Sequence, residues 1–161
     1  MLRRLALAGM VALLVGAGPL AQTPEPAQDD SIEVLRTRAN AGDAEAQYNL
    51  GVAYRDSEGV PQDNVEAVAW FRQAAEQGDA NAQYNLGAMY VNGRGVPQDA
   101  VEVYKWFNLA TTYTDASTRE EFAKARDSVA EFLTPQQQTE GQRLTREWRE
   151  RVARVPNPRF R

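Results

Sequence analysis

The chain repeats itself at a fixed offset of 36 residues, and this periodicity limits its fold more than any other feature. Gly-Asp-Ala-Glu-Ala-Gln-Tyr-Asn-Leu-Gly at 42–51 recurs as Gly-Asp-Ala-Asn-Ala-Gln-Tyr-Asn-Leu-Gly at 78–87. Gly-Val-Pro-Gln-Asp at 59–63 recurs at 95–99, and Trp70-Phe71 recurs as Trp106-Phe107. About 20 of 36 positions are identical between the full repeats 43–78 and 79–114. A unit of this length cannot bury its own apolar face and must stack on the next copy.

Each repeat reads as two helices. Asp43 has an acceptor side chain suited to the free N–H groups of a helix start. Ala46, Leu50, Ala53 and Tyr54 then recur at spacings of three and four, which makes one apolar stripe. The helix must stop before Ser57-Glu58-Gly59-Val60-Pro61, because Pro cannot extend the ladder. Asp63 to Glu66 and Asp99 to Glu102 read as Asp versions of a capping box opening the second helices. Their stripe is Ala67, Trp70, Phe71 and Ala74, with Gly78 just past the end. Gly51 and Gly87 fall inside helices, where Gly costs about 1 kcal/mol relative to Ala. Close approach of the Trp70 and Trp106 regions is the expected compensation, with ligand contact as the alternative.

The pattern frays at both ends, as a solenoid with capping units should. Residues 32–39 supply an isolated second helix upstream. Downstream, Asp115-Ala116 falls one period after Asp79-Ala80, and Phe122-Ala123 replaces Leu86-Gly87. A closing helix opens at Thr134-Pro135-Gln136-Gln137, with Thr as N-cap, Pro as first helical residue and Gln completing the box. Leu144, Trp148 and Val152 are its expected stripe.

The run Ala-x-Ala-Gln-Tyr-Asn-Leu-Gly-x-x-Tyr, then Gly-Val-Pro-Gln-Asp, then Trp-Phe, resembles the Sel1-like repeat, a relative of the tetratricopeptide repeat with a longer interhelical loop. The resemblance covers 31–112 well and 113–152 more loosely. It implies an all-α fold, a right-handed α-solenoid of helix pairs with a C-terminal capping helix. It also implies, as in many relatives, an adaptor role in signalling, secretion or envelope assembly. Cys-rich relatives with enzyme activity and disulfide-braced repeats are similar in repeat pattern. This chain has no Cys, so no catalytic role carries over.

The N-terminus reads as a secretory signal over 1–21. Arg3 and Arg4 precede about 13 uncharged, mostly apolar residues, short of the ~20 a membrane span needs. Cleavage fits after Ala17 or Ala21, an uncleaved anchor being the alternative. Residues 22–30, with Pro24 and Pro26, read as a disordered linker before a repeat domain over 31–152 and a basic tail over 153–161. A periplasmic or secreted location follows, with no membrane span once the signal is removed. The mature chain would carry 16 basic against 22 acidic groups, which argues against general nucleic-acid binding.

With neither Cys nor His, thiolate nucleophiles, Cys/His zinc sites and His bases are excluded, and no cofactor or metal is expected. Asp43 with Glu45, and Asp63 with Glu66, could form acid/base pairs, but their places at helix starts are those of caps. Seven arginines (Arg143, Arg146, Arg149, Arg151, Arg154, Arg159, Arg161) crowd the C-terminus. They read as a solvated helix with Glu147–Arg151 and Glu150–Arg154 pairs, or as a basic face for anionic polymers.

One candidate binding face remains. Opposite Leu50 and Ala53, the first helix carries Tyr48, Asn49, Val52 and Arg55, and the next unit carries Tyr84, Asn85, Ala88 and Val91. By resemblance, first helices line a concave groove, where Tyr offers contact area at low entropic cost. The alternative is that the tyrosines pack between repeats. The expected function is a non-catalytic adaptor or regulator binding a protein partner in this groove within the cell envelope. The alternatives are a peptidoglycan-acting envelope hydrolase or its regulator, and a structural protein binding anionic envelope polymers through its Arg-rich end.

Overall fold

The computed structural model describes residues 31–112 and 114–154. The expected signal, linker and most of the basic tail, including Arg159 and Arg161, lie outside these residues. Seven helices succeed one another among the described residues: α1 (Ile32–Asn40), α2 (Ala44–Asp56), α3 (Asn64–Glu76), α4 (Ala80–Asn92), α5 (Ala100–Ala110), α6 (Ala116–Ala130) and α7 (Pro135–Ala153). From α1 to α6 each helix packs on the next, which builds an α-solenoid.

Side-chain acceptors set the starts. Asp43, Asp79 and Asp115 cap α2, α4 and α6, so the 36-residue spacing runs into the third unit. Asp63 and Asp99 do the same for α3 and α5, each accepting from two backbone N–H groups. The complete reciprocal box stands at Thr134 and Gln137. At α5 the expected box is different: Glu102 accepts from Lys105 Nζ and from Trp106 Nε1 at 2.8 Å. A buried indole N–H needs an acceptor more than an exposed cap does. Gly78 ends α3 just past Gln77 at φ 85°. Gly95 has φ 72°, and a Cβ there would lie 2.1 Å from Asn64 O, so the interhelical loop seats directly on the start of the preceding repeat's α3.

Leu50, Phe71, Leu86 and Trp106 are fully buried in the interior. The residues facing the helix glycines are the phenylalanines, one position beyond the expected tryptophans. A Cβ on Gly51 would sit 2.6 Å from Phe71 Cδ1, and one on Gly87 2.6 Å from Phe107 Cδ1. One residue is about 100° of helix rotation, enough to exchange a covered ring for its half-exposed neighbour Trp70.

A second periodic device ties the units together. Gln47 donates to Ala39 O at 3.0 Å, Gln83 to Ala75 O at 3.1 Å and Arg119 to Thr111 O at 3.1 Å. In each case a side chain from the incoming helix binds an end carbonyl of the previous one, where the ladder leaves acceptors free.

Helix α7 packs chiefly on α5. It runs parallel to α5: Gly141 lies at Tyr104, Thr145 at Asn108 and Arg149 at Thr112. Its buried stripe is Gly141, Thr145, Trp148 and Val152, so Leu144 stands at the edge, half-buried. The absent side chain at Gly141 admits the Tyr104 ring and turns the helix to that face. The expected ion pairs are also rearranged: Glu147 pairs with Arg143, and Arg151 with Glu76 at 2.6 Å. No helix among the described residues is long and apolar enough to cross a membrane.

Candidate functional site

The candidate face lies along α2 and α4. Tyr84 is half-buried, its ring stacked 5.0 Å from Phe107 and 4.5 Å from Phe122. Tyr48 is half-buried with its ring 6.0 Å from Phe71. Both tyrosines therefore brace neighbouring helices and show the face only part of their surface. Asn49, Val52 and Ala88 are half-buried, and Val91 is exposed. Arg55 crosses to α4 and donates to Asn85 Oδ1. It also pairs with Asp56 at 2.5 Å and lies 5.8 Å over the Phe71 ring. Asn85 in turn donates to Asn81 O at 2.9 Å. The hydrogen bonds that Arg55 donates to Asp56 hold the guanidinium above its ordinary value, and the same bonds lower the Asp56 carboxyl.

Asn49 and Val52 also form one wall of an open cleft of about 970 Å³ between α1 and α2. Leu35 and Val34 of α1 supply the opposite apolar wall, and Arg38, Glu45 and Glu58 the polar rim. Arg38 is held by Asp43 at 2.7 Å, and that bond keeps the Asp43 carboxyl below the ordinary range. Sequence reasoning placed Asn49 and Val52 but not the α1 residues. The 36-residue register could have found them, because α1 is the second helix of an incomplete unit.

The aspartates of the two candidate acid/base pairs are occupied as helix caps. Asp43 accepts from Glu45 N and Ala46 N, and Asp63 from Val65 N and Glu66 N.

The family model described as Sel1 repeat matches residues 44–79 and 80–112. The chain carries two Sel1 repeats. Among solved structures it is similar to a protective antigen of uropathogenic Escherichia coli displaying an SLR fold. The TM-score is 0.69, with 34% identity over 74% of this chain and 25% of that one. It is also similar to a Sel1 repeat protein from Oxalobacter formigenes, with a TM-score of 0.53 and 38% identity over 58% of this chain and 27% of that one. The chain thus spans about a quarter of the length of either relative. No curated protein matches it. Sel1 repeats generally mediate protein–protein interaction, and their fold is typically a non-catalytic scaffold.

Proposed function

We propose that this Sel1-repeat chain is a non-catalytic adaptor or regulator of the bacterial cell envelope that holds a protein partner on the face shared by α2 and α4. One observation carries the reading. Asn49 and Val52 recur as Asn85 and Ala88 at the repeat offset, and Arg55 bridges the two helices, so the two copies make one continuous surface. Amide side chains flanked by small apolar ones suit a polypeptide, whose backbone offers donors and acceptors in alternation. The envelope location rests on the Arg-flanked apolar run at the N-terminus.

The test is crosslinking of the full chain in the envelope fraction of a producing bacterium. It is repeated with Asn49→Ala combined with Val91→Arg, both at positions that are not fully buried. A protein captured by the wild type and lost from a variant of unchanged helical content supports the reading. Equal capture by both moves the site elsewhere. Recovery only from the cytosol with Met1 intact removes the envelope assignment.

A further inference from the structure

The cleft between α1 and α2 has a counterpart inside the molecule. Helices α3 and α5 are each packed by two first helices, α2 and α4 or α4 and α6. Among the described residues α1 has one first helix, α2, as its main packing partner. Shifted by one repeat, the cleft's α1 wall of Val34, Leu35 and Arg38 becomes Trp70, Phe71 and Ala74. That surface is covered by α2: Phe71 and Ala74 are fully buried, Phe71 lies against Gly51, and Trp70 packs on the cluster of Ala46 and Leu50. The opposite wall of Glu45, Asn49 and Val52 becomes Asn81, Asn85 and Ala88, and Asn85 is the residue Arg55 of α2 binds. The cleft is therefore an open copy of the seat α2 occupies on α3 and α4.

We propose that this cleft docks an amphipathic α-helix of another protein, which binds there in the way that α2 sits on α3 and α4. The inference rests on the reading of the chain as a protein binder and names the partner's chemistry. The seated α2 shows what such a helix must present. Opposite Leu35 it carries a small residue, as α2 presents Gly51 to Phe71. Opposite Asn49 it carries Arg, as Arg55 meets Asn85. At the end of the seat the sign changes. Arg94 adds to Arg55 in holding the Asp56 carboxyl low, but the cleft has Glu58 where the second seat has Arg94. The docked helix accordingly carries Lys or Arg where α2 carries Asp56.

The experiment uses the full chain and a fluorescent 14-residue peptide of the 43–56 sequence. A side-chain lactam on its outward face keeps it helical, since so short a helix is marginal in water. The peptide ends in either its native Asp or in Lys. Anisotropy should show saturable binding, with the Lys peptide tighter by about 2- to 5-fold, the range of an exposed ion pair. Glu58→Lys, at an exposed position, should reverse that order, and Asn49→Ala should weaken both peptides. Because the chain has no cysteine, Val34→Cys provides a single thiol whose alkylation by iodoacetamide should slow when the Lys peptide is added. Absence of saturable binding, or a preference unchanged by Glu58→Lys, overturns the proposal. So does a thiol already protected before peptide is added, which would put the chain's own upstream residues in the seat. Partner capture in the envelope that persists in Glu58→Lys while peptide binding fails would leave the adaptor reading standing without the helix seat.

Discussion

The indole N–H of Trp148 donates to Glu76 at 2.9 Å and so ties the last helix to the end of α3 across 72 residues. The same Glu76 oxygen accepts from Arg151 at 2.6 Å. Trp148 is almost wholly buried, whereas Arg151 is 60% exposed in its side chain. The two donors should therefore contribute unequally. Glu76→Ala takes an acceptor from a buried indole and should cost about 1–3 kcal/mol. Arg151→Ala removes an exposed ion pair and should cost under about 1 kcal/mol. Urea unfolding with an unchanged m-value checks the order; equal losses would show that the ion pair, not the indole bond, holds α7 down.

Gly87→Ala should lower stability although Ala is the better helix former. Propensity alone would add about 0.8–1.0 kcal/mol. The new Cβ would meet the Phe107 ring at 2.6 Å, and that ring is almost fully buried and cannot swing aside, so overpacking of about 1–3 kcal/mol should prevail. Gly87→Leu should be worse. Adding Phe107→Leu to Gly87→Ala should recover part of the loss, because Leu35 already stands at the matching position of α1. A melting temperature raised by Gly87→Ala would refute the close-packing account.

Tyr84 should behave as a packing residue. Its ring lies between Phe107 and Phe122, and each aromatic contact adds about 0.5–1.5 kcal/mol beyond area burial. Tyr84→Ala should cost roughly 3 kcal/mol, while Tyr84→Phe keeps the stack and should stay within about 0.5 kcal/mol of the parent. Thermal melts of the two variants decide it. A small loss for Tyr84→Ala would return the ring to the candidate binding surface.

Most helix starts were legible in the sequence because each depends on one side chain and the few residues after it. Asp43, Asp63, Asp99 and Thr134 were readable as caps on local chemistry, and the repeat offset placed Asp79 and Asp115, whereas Ser31 at the start of α1 was not named. The repeat offset then carried the fold. The phenylalanine facing each helix glycine was missed by one residue, since two adjacent aromatics both satisfy an apolar stripe and only the helix rotation separates them. The seat of α7 was not legible, because Gly141 against Tyr104 and Trp148 against Glu76 are long-range contacts outside the repeat. The cleft was half legible: its α2 wall lies in the motif, but its α1 wall keeps the register without keeping the residues.

Gln47 and Gln83 occupy matching positions but should not matter equally. Both donate to an end carbonyl of the preceding helix. Gln47 Oε1 also accepts from Gln77 at 2.7 Å, while Gln83 Oε1 has no partner among the described residues. A buried acceptor without a partner carries its desolvation cost uncompensated. Gln83→Met, which keeps the volume and removes that oxygen, should lie within about 0.5 kcal/mol of the parent, whereas Gln47→Met should cost about 1–2 kcal/mol. Chemical denaturation of the pair tests this, and a larger loss at position 83 would contradict it.

Stability should be flat through neutral pH and fall only in acid. No His is present, so no side chain with an ordinary pKa titrates between about pH 5.5 and 8. Hydrogen bonds from Arg38, Arg55 and Arg143 hold Asp43, Asp56 and Glu140 below their ordinary values in the folded chain. A carboxyl lowered in this way binds protons more weakly folded than unfolded, so acid favours unfolding. The stability it contributes is fully present above the ordinary values of 3.8 for Asp and 4.5 for Glu, and is lost as pH falls through the lower folded values. Melting temperatures should therefore hold steady from about pH 8 to 5 and drop below about pH 4. Asp43→Asn keeps a capping acceptor but removes the charge that meets Arg38, so its melting temperature should be lower at neutral pH and its acid decline shallower. An inflection between about pH 6 and 8 in the parent, or an acid decline as steep in Asp43→Asn as in the parent, would show that other groups govern the pH dependence.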